Sequence, residues 1–320
     1  EVLNLGSITS IGPNSVPIQL SNLGGGGGDA RDGYGQGQLG SIRSSGTSGV
    51  STLTNSGAVG SWGSSSPAVF QQSIGGGGGS VNSLNGDARL GSISANSAQN
   101  TRPLELNNTG NIFTHGDFSP GILVQAIGGG GGRANIVSGD AFLGSQLISE
   151  TANLSSGSID IESIGNKILT LGDISPGIVA QSIGGGGGWV GVVGGNLNMG
   201  VEKASGLLRS GLVKVDNQSD ILTAGKNSAG MILQSVGGGG GLSSYAGGSI
   251  YLGSQDGEGV LSSGGMVVDN DAEIRTIDDS SAGIAALTIG GGGGFISGSN
   301  NKVADLIRLG GSGNQIGISK

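Results

Sequence analysis

His115 is the only histidine in the chain, so it is the only side chain that could serve as the base of a serine–histidine–aspartate triad. Asp117 lies two residues further on, and serine is abundant, but nothing in the sequence resembles a nucleophile elbow. In the internal repeats described below, the positions equivalent to His115 carry Leu171 and Ala224. We therefore interpret His115 as ordinary variation between repeats and predict no catalytic residue.

Runs of five glycines could in principle cradle a phosphate, since they trivially match Gly-x-Gly-x-x-Gly. A dinucleotide site needs one such turn between a strand and a helix, with an acidic residue about 20 positions later. Here the run recurs without helical segments, and we predict no cofactor-binding residue. The runs begin at Gly24, Gly75, Gly128, Gly184, Gly237 and Gly290.

Calcium is the small ligand that fits the composition best, because glycine-rich nonapeptide repeats bind it through a recurring aspartate. Only the first run is followed by an aspartate, Asp29, so a repeated calcium code is excluded. One oxygen-ligated ion stays open as an alternative to a solvated loop. Its ligands would come from the acidic stretch Asp269, Asp271, Glu273, Asp278 and Asp279. We otherwise expect no cofactor and no metal.

Glycoside cleavage requires two carboxyl groups beside a sugar-binding surface. No Asp/Glu pair recurs next to an aromatic cluster, and aromatic residues make up only 3% of the chain. A β-helical enzyme acting on polysaccharides is therefore retained only as a minor alternative. We expect the chain not to be an enzyme.

Charge and composition also limit the partners. The 320 residues carry a net charge of −8 and include no cysteine. Without a basic stripe, binding to nucleic acid is not expected. No run of 18 apolar residues exists, so we expect no insertion of this segment into a membrane. Glycine accounts for 73 residues, yet 34% of the chain is apolar, which suffices for a thin core if that core repeats.

The sequence repeats with a period of about 53 residues. Each glycine run follows a lead-in such as Ser175-Pro-Gly-Ile-Val-Ala-Gln-Ser-Ile183, and a Leu-Gly-Ser marker begins 15 residues after four of the runs. Aligned lead-ins contain one column that is always apolar: Ile18, Val69, Ile122, Ile178, Met231 and Ile284. A second column carries an amide in the four middle copies: Gln72, Gln125, Gln181 and Gln234.

These repeats predict an all-β fold, a parallel β-helix or solenoid built from six repeats. The segments are short, alternate apolar with polar residues and end in turn formers, which is typical of strands. One unit cannot bury its own apolar face, so neighbouring units must stack. We expect two coils of unequal size per repeat, about twelve coils in all, and a rod of roughly 55–60 Å. One oversized coil per repeat is the competing interpretation.

The glycine runs and the glutamine column are predicted to be structural. Five ordered glycines cost roughly 2.5–5 kcal/mol per unit relative to alanine, so close backbone packing must offset them. Six flexible solvent loops are the alternative, but the unvarying run length argues against them. Stacked glutamine amides could hydrogen-bond along the axis, as in a cross-β ladder. A tolerated surface position is the other interpretation of that column.

The segment Gly177–Gly188, Gly-Ile-Val-Ala-Gln-Ser-Ile followed by five glycines, resembles repeats in the passenger regions of large bacterial autotransporter adhesins. The resemblance implies a right-handed parallel β-helix, secretion, and a role in adhesion, biofilm or surface fibres. We therefore expect residues 1–320 to form one repetitive domain, part of a longer rod on or outside a Gram-negative cell. Its partner would be another copy of itself or a host or bacterial surface. A self-assembling filament subunit is the alternative.

Overall fold

The computed structural model describes residues 1–40, 46–95, 98–149, 152–255, 258–297, 306–310 and 316–318. Within these residues the chain is all-β, and every strand pairing between named strands is parallel. The predicted fold class, a parallel β-solenoid, is confirmed. None of the described segments is a helix long and apolar enough to cross a membrane.

Six parallel sheets form the walls of the solenoid, numbered here in the order in which the chain enters them. Sheet 1 has ten strands: Val2–Asn4, Ile8–Ser10, Ser51–Asn55, Val59–Ser61, Leu104–Asn108, Ile112–Thr114, Ile159–Thr170, Val213–Thr223, Met266–Asn270 and Ile274–Thr276. Sheet 2 contains the lead-ins: Ile18–Leu23, Val69–Ile74, Ile122–Ile127, Ile178–Ile183, Met231–Val236 and Ile284–Ile289. Sheet 3 begins inside the glycine runs: Gly27–Tyr34, Gly78–Asn85, Gly131–Val137, Gly187–Val193, Gly240–Ala246 and Gly293–Ile296.

The remaining sheets are built from shorter strands. Sheet 4 ends at the Leu-Gly-Ser markers: Gly37–Leu39, Ala88–Leu90, Ala141–Leu143, Leu197–Met199, Ile250–Leu252 and Ile307–Leu309. Sheet 5 consists of Ser94–Ala95, Leu147–Ile148 and Lys203–Ala204. Sheet 6 consists of Gln99–Asn100, Asn153–Ser155, Leu207–Arg209, Val260–Ser262 and Ile316–Ile318.

Each repeat forms one coil, so the expectation of two coils per repeat is wrong and the competing interpretation is correct. Strands pair with the equivalent strand of the next repeat, as in Ile122 with Ile178 and Ile127 with Ile183. Strands within one repeat face each other as layers instead of pairing. Six coils at about 4.8 Å per step place the first and last coils only about 24 Å apart.

Sheet 2 lies between sheets 1 and 3 and is buried on both faces in the inner coils. In the strand Ile122–Ile127, Ile122 and Val124 pack with sheet 1 residues such as Leu106, whereas Leu123 belongs to a separate core with Trp189 of sheet 3. Parallel strands covered on both sides read as nearly continuous apolar runs. This arrangement explains why the lead-ins are the most apolar segments of the repeat.

The turn before each lead-in uses a left-handed residue followed by a serine ladder. Non-glycine residues with φ of 53–57° occupy this place in every coil: Asn14, Ser65, Phe118, Ile174, Asn227 and Ser280. The next residue is serine, whose backbone N–H donates to the serine Oγ of the following coil, as in Ser119 to Ser175 at 3.0 Å and Ser175 to Ser228 at 2.9 Å. The ladder satisfies buried N–H groups that a turn would otherwise leave without partners.

Candidate functional site

The predicted apolar column is a stripe of the interior. It stacks in register from Ile18 to Ile284, and all members except Ile284 are buried in the core between sheets 1 and 2. Ile284 belongs to the last coil and is 42% exposed. These side chains pack sheet 1 against sheet 2 and offer no reactive or ligand-binding group to solvent.

The glutamine column forms a buried amide ladder over its C-terminal three members. Gln125 Nε2 donates to Gln181 Oε1 at 2.6 Å, and Gln181 Nε2 donates to Gln234 Oε1 at 2.6 Å. Gln72 donates in the opposite direction, to Ser21 Oγ at 2.8 Å, so the ladder does not continue between Gln72 and Gln125. All four glutamines are fully buried, which excludes the surface interpretation of this column.

In the second to fifth coils, the first glycine of the run packs against sheet 6 on the opposite side of the coil. A Cβ added to Gly128 would lie 2.9 Å from Ser155 C, and one added to Gly184 would lie 2.6 Å from Arg209 C. Both separations are shorter than real Cβ contacts. Gly75 and Gly237 meet sheet 6 as closely, and Gly24 of the first coil meets Thr47 and Ser48 instead. All five glycines are buried in each of the four inner coils, so the runs there are packed backbone and not solvent loops.

From the second run onward, the third glycine meets the marker glycine of the preceding coil, and Met199-Gly200 stands in the place of Leu-Gly in the fourth coil. A Cβ on Gly186 would lie 2.7 Å from Gly144 Cα, and one on Gly239 would lie 2.6 Å from Gly200 Cα. The marker serine adds a hydrogen bond from Ser145 Oγ to Gly129 O at 2.8 Å. The two most regular motifs of the sequence are thus packing partners across the coil. Sequence reasoning missed this contact, although the marker stands at a fixed distance of 15 residues after most of the runs.

A second amide ladder runs through sheet 1 and was also missed. Asn4 Nδ2 donates to Asn55 Oδ1, and Asn55 Nδ2 donates to Asn108 Oδ1, both at 2.7 Å. Each of these amides also donates to a backbone oxygen two residues ahead. Asn217 and Asn270 repeat the pattern at 2.8 Å. The recurring Asn at the end of the strand was visible in the sequence, but its direction into the coil was not.

The outer face of sheet 4 carries a groove with a volume of about 640 Å³. We call it the sheet 4 groove. Its floor is one stacked column of side chains in the middle of each strand: Gln38, Arg89, Phe142, Asn198 and Tyr251. One bank carries Asp87, Asp140 and Asn196, and the other carries Gln146, Glu202 and Gln255. Aromatic rings, amides and carboxylates therefore converge on one concave surface.

Contacts within the sheet 4 groove fix several of these side chains. Asp140 Oδ1 accepts hydrogen bonds from the backbone N–H of Asn196 at 2.7 Å and from its side-chain amide at 3.3 Å. The Arg89 guanidinium lies over the Phe142 ring, 4.8 Å from its centroid. Arg89 Nη1 is buried and has no hydrogen-bond partner among the described residues. The groove thus has an ordered wall and an unmet donor beside an aromatic ring.

Sequence reasoning did not identify the sheet 4 groove. Phe142 and Tyr251 stand more than 100 residues apart in the chain and come together only because their coils stack. Both rings lie beside the carboxylates of Asp87 and Asp140 on this surface. In the sequence, each of these two rings belongs to the residue directly before a marker leucine, and that position was the available signal.

His115 and the acidic stretch do not form catalytic or metal-binding arrangements in the described residues. His115 is exposed and stacks on Trp62, with ring centroids 5.5 Å apart. The acidic side chains from Asp269 to Asp279 are exposed on the outer surface. Throughout the described part of the chain, no group of three or more histidine or carboxylate side chains is placed to hold a metal ion. The calcium alternative stays a prediction without a site.

Arg133 is a buried cation directly after the third glycine run. Its side chain is fully buried, Nη2 donates to Ser65 O, and the guanidinium carbon lies 5.7 Å from the centroid of the Phe70 ring. Nε has no hydrogen-bond partner among the described residues. Burial lowers the pKa of Arg133 from its ordinary value to about 9, and the charge of Asp29 partly opposes this shift. The equivalent positions of later coils are apolar: Trp189, Leu242 and Phe295.

Replacing Arg133 with an apolar residue should stabilise the chain. We expect Arg133→Met to raise the free energy of unfolding at pH 7 by about 1–3 kcal/mol, because a poorly paired buried charge is removed. Above pH 9 the folded state binds fewer protons than the unfolded state, so wild-type stability rises with pH. The advantage of the variant should therefore shrink between pH 8 and pH 10.5, as measured by urea unfolding.

The exposed Arg31 provides the matched control for this substitution. Arg31→Met should change stability by less than about 0.5 kcal/mol, since the charge lost there is solvated. A less stable Arg133→Met at pH 7 would show that the guanidinium is compensated by contacts stronger than its one hydrogen bond to Ser65 O.

Comparison with known proteins found no family model that matches the chain and no significant match among curated proteins or solved structures. The fold and the sheet 4 groove therefore have to be interpreted from the chain's own residues. The resemblance to autotransporter passenger repeats stays a prediction.

Proposed function

We propose that this chain is a non-catalytic structural rod of an exported bacterial surface protein, acting as an adhesin stalk or an extracellular fibre. The observation that carries the proposal is the in-register stacking of every described coil on the next. Six parallel sheets run through successive coils, and backbone hydrogen bonds join each wall to the coils beside it. Tension along the axis is shared among all the walls, which suits a load-bearing element.

The interior supports this proposal because it consists of structural ladders. Amides, serines and bare backbone occupy equivalent places in successive coils and bond along the axis. Such contacts repeat with the coil and therefore favour adding further units over shaping one unique catalytic centre.

Surface labelling of intact cells tests the location. The exposed lysines Lys167, Lys203 and Lys214 should react with a membrane-impermeant amine reagent in the bacterium that produces this protein. We expect labelling before lysis, with a cytoplasmic protein as the unlabelled control. Labelling only after lysis would contradict an extracellular rod.

Incubation with polysaccharides tests the non-catalytic part of the proposal. The purified chain should release no new reducing ends from neutral or acidic polysaccharides. Release that disappears in Asp140→Asn, a bank residue of the sheet 4 groove, would instead support the polysaccharide-acting enzyme.

End-to-end assembly is a second candidate, favoured by open strand edges on both terminal coils. The strand Ile18–Leu23 has an unpaired edge in the first described coil, as does Ile284–Ile289 in the last. Ile284 is 42% exposed there, whereas its stacked equivalents Ile178 and Met231 are fully buried. A second copy could pair with these edges. Concentration-dependent filaments in electron micrographs, shortened by Ile284→Lys, would establish this assembly; a monomer at all concentrations would refute it.

A further inference from the structure

We propose that the sheet 4 groove binds a neutral linear glycan lying along the rod axis, with sugar rings stacked on Phe142 and Tyr251. This inference goes beyond the proposed structural role and does not depend on it. Its basis is one surface on which stacking platforms repeat along a line and hydrogen-bonding side chains flank them on both sides.

The rise from one coil to the next sets the distance between the Phe142 and Tyr251 rings. Phe142 pairs in register with Asn198, and Asn198 pairs with Tyr251, so the rings stand two steps apart, or about 9.6 Å along the axis. Both are part-exposed on the outer face, because the residues on either side of each point inward. Aromatic rings present an apolar face, and the tyrosine hydroxyl adds a polar atom at the groove. A polymer that alternates its contacts along a line matches this arrangement better than a compact ligand does.

The polar groups fit hydroxyl partners. Hydroxyls both donate and accept, and the banks offer carboxylate acceptors at Asp87 and Asp140. Amides, which do both, are present on the floor at Asn198 and on the other bank at Gln146 and Gln255. The bonds from Asp140 N to Asp87 and from Asn196 N to Asp140 use Oδ1 of each carboxylate. A sugar hydroxyl would donate to Oδ2, on a wall that the ladder already holds in place.

Charge selects neutral glycans over acidic ones. Among the lining residues, three carboxylates, Asp87, Asp140 and Glu202, face a single guanidinium, Arg89. The whole chain also carries a net charge of −8. Uronate or sulfate groups would therefore be repelled, whereas uncharged hydroxyls would not.

Calorimetric titration of the full chain with defined hexasaccharides tests the proposal. We expect binding of at least one neutral β-1,4-linked hexasaccharide among cellohexaose, xylohexaose and chitohexaose, and no binding of hexagalacturonate or an alginate hexamer. Phe142→Ala and Tyr251→Ala should each weaken binding roughly tenfold, because each removes one stacking platform. Tyr34→Ala is the matched control, since Tyr34 is 91% exposed and lies outside the groove lining; it should leave binding unchanged.

Several outcomes would overturn the glycan site. These are no binding of any neutral hexasaccharide, preference for an acidic one, or equal affinity in Phe142→Ala and the wild type. Circular dichroism and the urea midpoint of each variant must match the wild type, and Tyr251→Phe provides a second test that keeps the ring while removing the hydroxyl. It should retain most of the affinity. If no glycan binds, the glycan site is contradicted and the proposed structural role is not. If surface labelling fails, the extracellular location is contradicted and the glycan site is not.

Discussion

Gly187→Ala should lower the free energy of unfolding by roughly 3–5 kcal/mol. This is the largest effect that we expect from a substitution that only adds a methyl group. Gly187 is the fourth glycine of its run and has φ of +140°, a conformation that an L side chain rarely adopts. An added Cβ would also overlap the Gly240 carbonyl, with Gly240 C at 2.8 Å. Because the obstacle is the backbone of the next coil, the two coils must separate to admit a methyl group.

Gly293→Ala separates the two causes. Gly293 occupies the equivalent place in the last coil, two steps along the same stack, and has φ of +149°. Among the described residues, leaving out its chain neighbours, the only atom within 4 Å of its added Cβ is the flexible Ile289 Cδ1, at 2.9 Å. We expect a loss of about 1–2 kcal/mol there, since the backbone strain remains and the clash is absent. Urea unfolding measures both variants, and hydrogen exchange should place the Gly187→Ala defect in the fourth and fifth coils. Equal losses would show that the runs are not packed against each other.

Gln181→Leu is the second large effect, with an expected loss of about 2–4 kcal/mol. Gln181 is the middle rung of the amide ladder, and its removal leaves Gln125 Nε2 without its acceptor and Gln234 Oε1 without its donor. Both groups are buried, and each buried group without a partner costs about 1–3 kcal/mol. Shape is not the obstacle, because Leu287 occupies the same column beside Gln234 in the last coil.

The triple variant Gln125→Leu, Gln181→Leu and Gln234→Leu is the diagnostic companion. It removes every amide of the ladder together, so it should be less destabilising than the sum of the three single variants by more than about 0.5 kcal/mol. Urea midpoints of the four proteins measure this coupling. Strict additivity would mean that the amides bond elsewhere and that the ladder contributes nothing as a unit.

Much of the fold was predictable from single columns of residues. The apolar column from Ile18 to Ile284 indicated stacked strands, and the constant length of the glycine runs indicated packed backbone. The number of coils per repeat was predicted incorrectly, although the sequence held the relevant signal. Equivalent residues recur at intervals of about 53 residues along the chain and not at half that interval. In stacked coils, equivalent residues are separated by the length of one coil, so each repeat must form a single coil.

The sheet 4 groove was the least predictable feature. Arg89, Phe142 and Tyr251 share no residue type, so the column that contains them shows no pattern. Interior columns are restricted by packing and repeat their chemistry, whereas outward positions vary freely between coils. The groove is built from the positions that vary most between repeats, so aligning the repeats does not reveal it.

The sequence by itself determined which residues are strands, which face of each strand is apolar, and which residues of successive repeats occupy equivalent places. These properties follow from alternation, turn formers and repetition, all of which act over short distances along the chain or between identical units. Only the tertiary structure decided that sheet 2 lies between sheets 1 and 3, that the inner glycine runs meet sheet 6 and a marker glycine, and that Phe142 and Tyr251 share one groove. The path of a coil depends on how unlike segments pack face to face, and nothing in the periodicity of one segment specifies the partner on its other side.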